Sequence, residues 1–280
     1  MICCLCVVLL CLALKSIAPT VTRVIRSQRK GGVSAVTSLG DDVFVMRFDS
    51  QQIEVYDAQN FKPQGHITVP GLCEVSVGLA ACAHYKCLYV SNCDWDSVHR
   101  IELMGDSAVK NWSVASLPTG LSINNAHNLV VACSEANKIQ EYTTHGTLVR
   151  EICPPAGVTN PRHAVQLSTG DYVVSQRESP GTVSIIGVDG QVVQSSDVWD
   201  FWQLNNPTCL AVNSNDDILV VDKDSNRILS MNSSLSSIQQ LDISVCGGVQ
   251  SLSLDESRGR LYVGENEGRC RVLVFDCVRL

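Results

Sequence analysis

The sequence predicts an all-β fold: a six-bladed β-propeller of four-stranded antiparallel blades, the last closed by the N-terminal strand. Three observations carry this expectation. First, a short apolar run recurs at Phe44-Val45-Met46, Leu88-Tyr89-Val90, Leu129-Val130-Val131, Tyr172-Val173-Val174, Leu219-Val220-Val221 and Leu261-Tyr262-Val263, with starts 41 to 47 residues apart. A period in the low forties holding several short strands marks propeller blades. Second, the units share a lead-in: Pro118-Thr119-Gly120-Leu121, Pro161-Arg162-His163-Ala164 and Pro207-Thr208-Cys209-Leu210, with looser versions at Gly31-Gly32-Val33 and Gly247-Gly248-Val249. Third, the last unit stops four residues beyond Asp276, one strand short of the others.

The unit from Asn206 to Ser234 shows why each element forms. Cys209 to Val212 is a short apolar run, and Asn213 to Asp217 turn the chain, because Asn and Asp tolerate αL and bond their own backbone. Ile218 to Val221 are four consecutive β-prone residues, too few for a helix and suited to a strand buried on both faces. Asp222 to Asn226 turn again, and Arg227 to Met231 alternate polar and apolar. A meander of this size cannot cover both its own faces, so it needs neighbours like itself.

These residues resemble the NHL repeat. The family pattern runs from a Pro-x-Gly lead-in through a strand ending in Asp to Asn-x-[Arg/Lys]-[Ile/Val]. Leu219-Val220-Val221-Asp222 followed by Asn226-Arg227-Ile228 fits it, as does Leu129-Val130-Val131 followed by Asn137-Lys138-Ile139. The resemblance extends over residues 20–280 and implies a single propeller domain. It is to the propeller of tripartite-motif proteins, without the RING, B-box and coiled coil that precede it there, and more distantly to gluconolactonase-like propellers. The architecture hosts binders, scaffolds and enzymes alike, so it does not itself assign an activity.

Taken from its start, the chain opens with ICCLCVVLLCLAL at residues 2–14, within an apolar segment spanning 1–18. The run is shorter than the 20 or so residues that span a bilayer and has the length of a signal-peptide core, although no Lys or Arg precedes it. A signal peptide, an acylated anchor and a truncated start all fit. The first implies secretion or an endomembrane compartment, with Asn111 and Asn232 in glycosylation sequons; otherwise the chain is cytoplasmic. A membrane contact is expected only through this segment. Val21 to Ser27 then supplies the missing outer strand of blade six, which removes two exposed sheet edges. Blades one to six are expected over 33–69, 73–115, 120–153, 163–196, 208–243 and 249–276.

Composition narrows the function. The chain is acidic, with 28 Asp and Glu against 21 Lys and Arg, which opposes a nucleic-acid footprint. Of its 14 cysteines, four lie in the N-terminal segment, and Cys87, Cys133 and Cys209 fall in or beside expected strands, where a reduced thiol acts as a small hydrophobe. No Cys spacing suggests a zinc site; Cys73, Cys82, Cys87 and Cys93 are the group dense enough for a disulfide.

In a propeller, the loops between blades and the turns joining second to third strands share one face. Here those positions form a mixed-charge rim, with Arg162, His163 and Arg177 as its local positive cluster. Trp95, in the turn Cys93-Asp94-Trp95-Asp96, and Trp199, Phe201 and Trp202, in the longest inter-blade loop, are candidate aromatic anchors. Gluconolactonase-like propellers hold calcium on Glu, Asn and Asp. The matching early segment here, Gly31-Gly32-Val33-Ser34, brings no acid, and Asn124, Asn125 and Asp222 do not recur in a pattern. Peptidylamidoglycolate lyase propellers bind zinc through several channel histidines, whereas His163 alone occupies an inner-strand position here. The expected reading is therefore a monomeric, non-catalytic binding or scaffold propeller with a protein or peptide partner and no metal or cofactor. A metal-dependent hydrolase or lyase and a single-stranded RNA binder are the alternatives.

Overall fold

The computed structural model describes residues 21–26, 31–73, 76–105, 108–177, 180–196, 203–243, 245 and 247–276. They form six four-stranded antiparallel sheets arranged as blades. The inner strands are Val33–Leu39, Leu79–Cys82, Pro118–Ile123, Pro161–Gln166, Pro207–Val212 and Val249–Asp255. Each contacts the next, and the sixth contacts the first, so the ring is closed.

The recurrent apolar runs are the second strands: Asp42–Arg47, Cys87–Asn92, Leu129–Cys133, Tyr172–Gln176, Ile218–Asp222 and Arg260–Glu265. In blades two to five every residue of these strands is buried. The cause is the blade geometry: each sheet is covered on both faces by its neighbours, so alternation gives way to a continuous apolar run. The core is correspondingly divided into six clusters, each between two adjacent blades. The outer strands, such as Leu148–Ile152 and Val192–Ser195, are largely exposed.

Ring closure follows the expectation. The N-terminal strand, Val21–Ile25, pairs antiparallel with Val272–Asp276, setting Val24 against Leu273 and Ile25 against Val272. The strand is shorter than the expected 21–27, and Ser27 lies outside the described residues. Ile25 is 1% exposed and packs in the cluster between blades one and six, while Val24 packs between blades five and six. The closing strand therefore joins two interfaces as well as one sheet edge. The apolar segment 1–18 lies outside the described residues.

Five inner strands carry the same irregularity. Their register skips one residue near the start, between Val33 and Ala35, Pro118 and Gly120, Pro161 and His163, Pro207 and Cys209, and Val249 and Ser251. A bulge of this kind leaves one residue out of the ladder and re-aims its side chain. The skipped residues, Ser34, Thr119, Arg162, Thr208 and Gln250, all line the central channel.

Removing residues 1–28 should lower the melting temperature or cause aggregation, whereas removing 1–18 should not. Thermal unfolding of the two truncations checks this. Ile25→Ala in the intact chain should cost about 2–5 kcal/mol, the range for a buried Ile-to-Ala change, in denaturant unfolding.

Candidate functional site

The inter-blade loops and the second-to-third-strand turns meet on one face, termed here the crossover face. The loops are tied down by side chains at the ends of second strands. Arg47 donates through Nη1 to the carbonyls of Gly31, at 2.9 Å, and Cys270, at 2.8 Å, and through Nε to Glu54 at 3.1 Å. Asn92 accepts from Cys73 N–H and donates to the Gly71 carbonyl. Gln176 accepts from Thr159 N–H. Asp222 accepts from the N–H groups of Asn205 and Asn206, each at 2.9 Å, and from the Arg227 guanidinium. Buried polar groups need such partners, and these ones fix the crossover loops leading into blades one, two, four and five. Arg47 and Asp222 thus serve the fold: Arg47 is buried rather than on the rim, and both Asp222 oxygens are occupied by donors. Asn124 lies in a turn on the opposite face, bonded to Glu141.

Trp95 stands on this platform. Cys93–Trp95 form a single turn of 3₁₀ helix ended by Asp96 in the αL region, at φ 45°. Both sides of the turn are anchored. The Cys93 thiol is buried and bonded to the Pro118 carbonyl at 3.0 Å, and Asp96 accepts from Leu117 N–H at 2.7 Å. The indole between them is 73% exposed. Its exposure follows from the two anchors, which direct the flanking residues inward and leave residue 95 at the tip.

His163 takes a different place. It is a channel-wall residue, buried, and both ring nitrogens are committed to neighbouring inner strands. Leu210 N–H donates to Nδ1 at 2.9 Å, and Nε2 lies 2.9 Å from the Leu121 carbonyl. The first bond makes Nδ1 an acceptor, so Nε2 carries the proton and the imidazole is neutral. It bridges blades three, four and five. Gly120 makes room for it, since a Cβ there would lie 2.6 Å from the imidazole Cδ2 and 2.4 Å from the Arg162 carbonyl. His163 therefore has no ring nitrogen left for a partner or a metal, a correction to its place among the binding residues. Arg162 is half-buried at the channel mouth and Arg177 exposed beside it. Burial, and then the like charge of Arg177, hold Arg162 below the ordinary guanidinium range. Trp199, Phe201 and Trp202 lie outside the described residues.

The channel itself is narrow, with a cavity of about 80 Å³. Small-molecule sites commonly begin near 300 Å³. Of its other reactive groups, Cys209 bonds the Leu252 carbonyl, and burial pushes its thiol up to about 11. A neutral, bonded thiol is a poor nucleophile. Among the described residues no group of three His, Cys, Asp or Glu side chains is placed to hold a metal. Cys73, Cys82, Cys87 and Cys93 are free thiols, so the dense cysteine group of blade two forms no disulfide.

Residues 204–229 match the NHL repeat. That stretch contains Asn205, Asn206, Asp222 and Arg227, the crossover tie of blade five, so the motif corresponds to a loop-fixing device. No curated protein matches the sequence. Among solved structures the chain is similar to hydrazine synthase of Kuenenia stuttgartiensis, with a TM-score of 0.68 at 17% identity over 91% of this chain and 97% of that one. It is also similar to a streptogramin B lyase, at 0.67 and 13% over 90% and 96%. A catalytically inactive virginiamycin B lyase from Staphylococcus aureus with quinupristin gives 0.67 and 11% over 91% and 99%. At these identities the likeness is one of fold.

Sequence reasoning missed one cluster. On the opposite face His84 stacks on His127 at 4.2 Å, with Tyr85 edge-on to His84 at 4.6 Å. The two histidines come from turns of adjacent blades, and only the period of the repeat hinted that they would meet.

The neutral state of His163 gives a pH signature. Its folded pKa is held down by burial, while an unfolded His titrates near 6.5. As pH falls below about 6.5 the unfolded chain binds a proton that the folded chain refuses, so stability is lost. Melting temperature should fall between about pH 7 and pH 5, and His163→Gln should flatten the fall. The remaining slope there is expected from His99, which burial also holds low.

Proposed function

We propose that this chain is a non-catalytic interaction module that binds a protein or peptide partner on its crossover face. The observation that supports the reading is Trp95: a largely exposed indole on a turn fixed at both ends. Leaving a large aromatic side chain in water is unfavourable, and exposed Trp on a rigid support is typical of binding hot spots. Loops held by a rigid scaffold are where recognition concentrates. Asp94 beside the indole and Arg177 on the same face are exposed, giving charges of both signs to orient a partner.

The narrow channel and its committed groups also favour binding over turnover. A hydrolase or lyase of this architecture needs room for a substrate and an available base or metal. His163 and Cys209 are occupied by backbone carbonyls and N–H groups. The acidic balance, with two carboxylates beside Trp95, favours a protein surface over a nucleic-acid backbone.

The test is a paired capture with parent protein and Trp95→Ala, followed by titration of any partner the parent retains. Trp95→Ala should weaken that partner by about 2 kcal/mol or more, the hot-spot range, with an unchanged melting temperature. Arg177→Ala should chiefly slow association and reduce its salt dependence. Equal affinity of parent and Trp95→Ala would sink the anchor role. Metal analysis of the purified chain should find no stoichiometric calcium or zinc; finding one would return the catalytic reading to first place.

A further inference from the structure

The central channel of this acidic protein has an electrostatic character opposite to that of the chain. Net charge is −7 overall, yet among the described residues lining the channel there is no Asp or Glu. Arg162 lines it, placed there by the inner-strand bulge of blade four. At the positions skipped in the other bulged strands stand Ser34, Thr119, Thr208 and Gln250, all neutral. His163 beside it is neutral because both nitrogens face backbone groups. Cys93, which also faces Arg162, is a neutral thiol, pushed up to about 11 by burial. Arg177 adds a second positive charge, and among the described residues no carboxylate pairs with either guanidinium.

Contrast the other half-buried or buried arginines. Arg47 is paired with Glu54, Arg227 with Asp222 and Arg271 with Glu265. Arg100, Arg258 and Arg260 are paired as well, so among the described residues Arg162 is the half-buried or buried arginine without a carboxylate partner. Withdrawing a charge without a counter-ion is costly, and the cost is offset when an anion is bound. The cavity of about 80 Å³ accommodates a carboxylate or phosphate head group and little more. Guanidinium groups suit such oxyanions because their planar N–H donors match two oxygens at once.

We propose that the channel mouth is a binding site for a single oxyanion, a carboxylate or a phosphate group, held by Arg162 with Arg177 as its outer partner. The site stands whether or not Trp95 anchors a protein, so the two readings fail separately. It selects one compact head group rather than a polyanion, because the neighbouring rim carries Asp94, Asp96 and Glu135.

The experiment uses the full chain labelled with ¹⁵N, following the Arg162 Nε–Hε resonance, assigned by its loss in Arg162→Lys. Acetate and inorganic phosphate are titrated separately, replacing chloride at constant ionic strength. A saturable shift with acetate identifies a carboxylate site, with phosphate a phosphate site, and with both a general oxyanion site; each supports the proposal. Arg162→Gln, which keeps a polar stem in the channel, should weaken binding about tenfold or more, the loss expected for one charged hydrogen-bonding partner, read by calorimetry. Exposed Arg177→Ala, which leaves the fold untouched, should weaken it by a smaller factor. No saturable shift with either anion, or equal affinity in Arg162→Gln, overturns the proposal.

Discussion

Burial of both faces of every blade against its neighbours is the constraint on which the rest of this structure depends. A four-stranded sheet that is apolar on two sides has no stable existence alone. Here the apolar clusters lie between blades, and none belongs to one blade. The ring must therefore close, and it closes by pairing its first strand, Val21–Ile25, with its last, Val272–Asp276. That pairing satisfies the backbone groups of an otherwise free sheet edge. It also places Ile25 and Val24 in two different inter-blade clusters.

Closure draws the inner strands together around a narrow axis, and several local features are consequences of that crowding. Gly78 and Gly120 stand where a Cβ would strike the next blade, 2.7 Å from the Thr119 carbonyl and 2.4 Å from the Arg162 carbonyl respectively. Side chains then bond across the gaps: Thr119 to the Arg162 carbonyl, Ser122 to the Ala164 carbonyl, and His163 to both blades beside it. The opposite face repeats the device with its turns. Ser168 bonds Asp216, Ser214 N–H bonds Glu256, and Arg258 bonds Asp41, each pair joining adjacent blades. Polar contacts thus lock the rotation of blades that apolar packing has brought together.

In this scaffold the side chains that hold the fold are distinct from those left exposed. Arg47 and Asp222 spend their hydrogen bonds on crossover loops. His163 spends its own on the channel wall. Trp95, Asp94 and Arg177 are left exposed on that face. A rigid ring keeps these groups at set distances, which would reduce the entropic cost of the binding proposed above.

The sequence by itself determined the architecture. Six apolar runs spaced by 41 to 47 residues, the turns between them and the missing last strand are enough for six blades and their closure, because each signal is local or strictly periodic. The NHL-like residues Asp222, Asn226 and Arg227 were legible as a motif, but their work was not: that Asp222 grips Asn205 and Asn206 depends on how the loop returns. The fate of the functional candidates was decided by tertiary structure alone. Arg162 and His163 are adjacent in the chain, and a one-residue bulge sends one to the channel mouth and the other into the wall. The partners of His163, Leu121 and Leu210, lie 42 and 47 residues away. Trp95 is exposed because Cys93 and Asp96 are held by residues of the next blade. Local patterns specify strands and turns; which polar side chain is satisfied, and which is left unpaired or exposed, follows only from neighbours that the closed ring brings into contact.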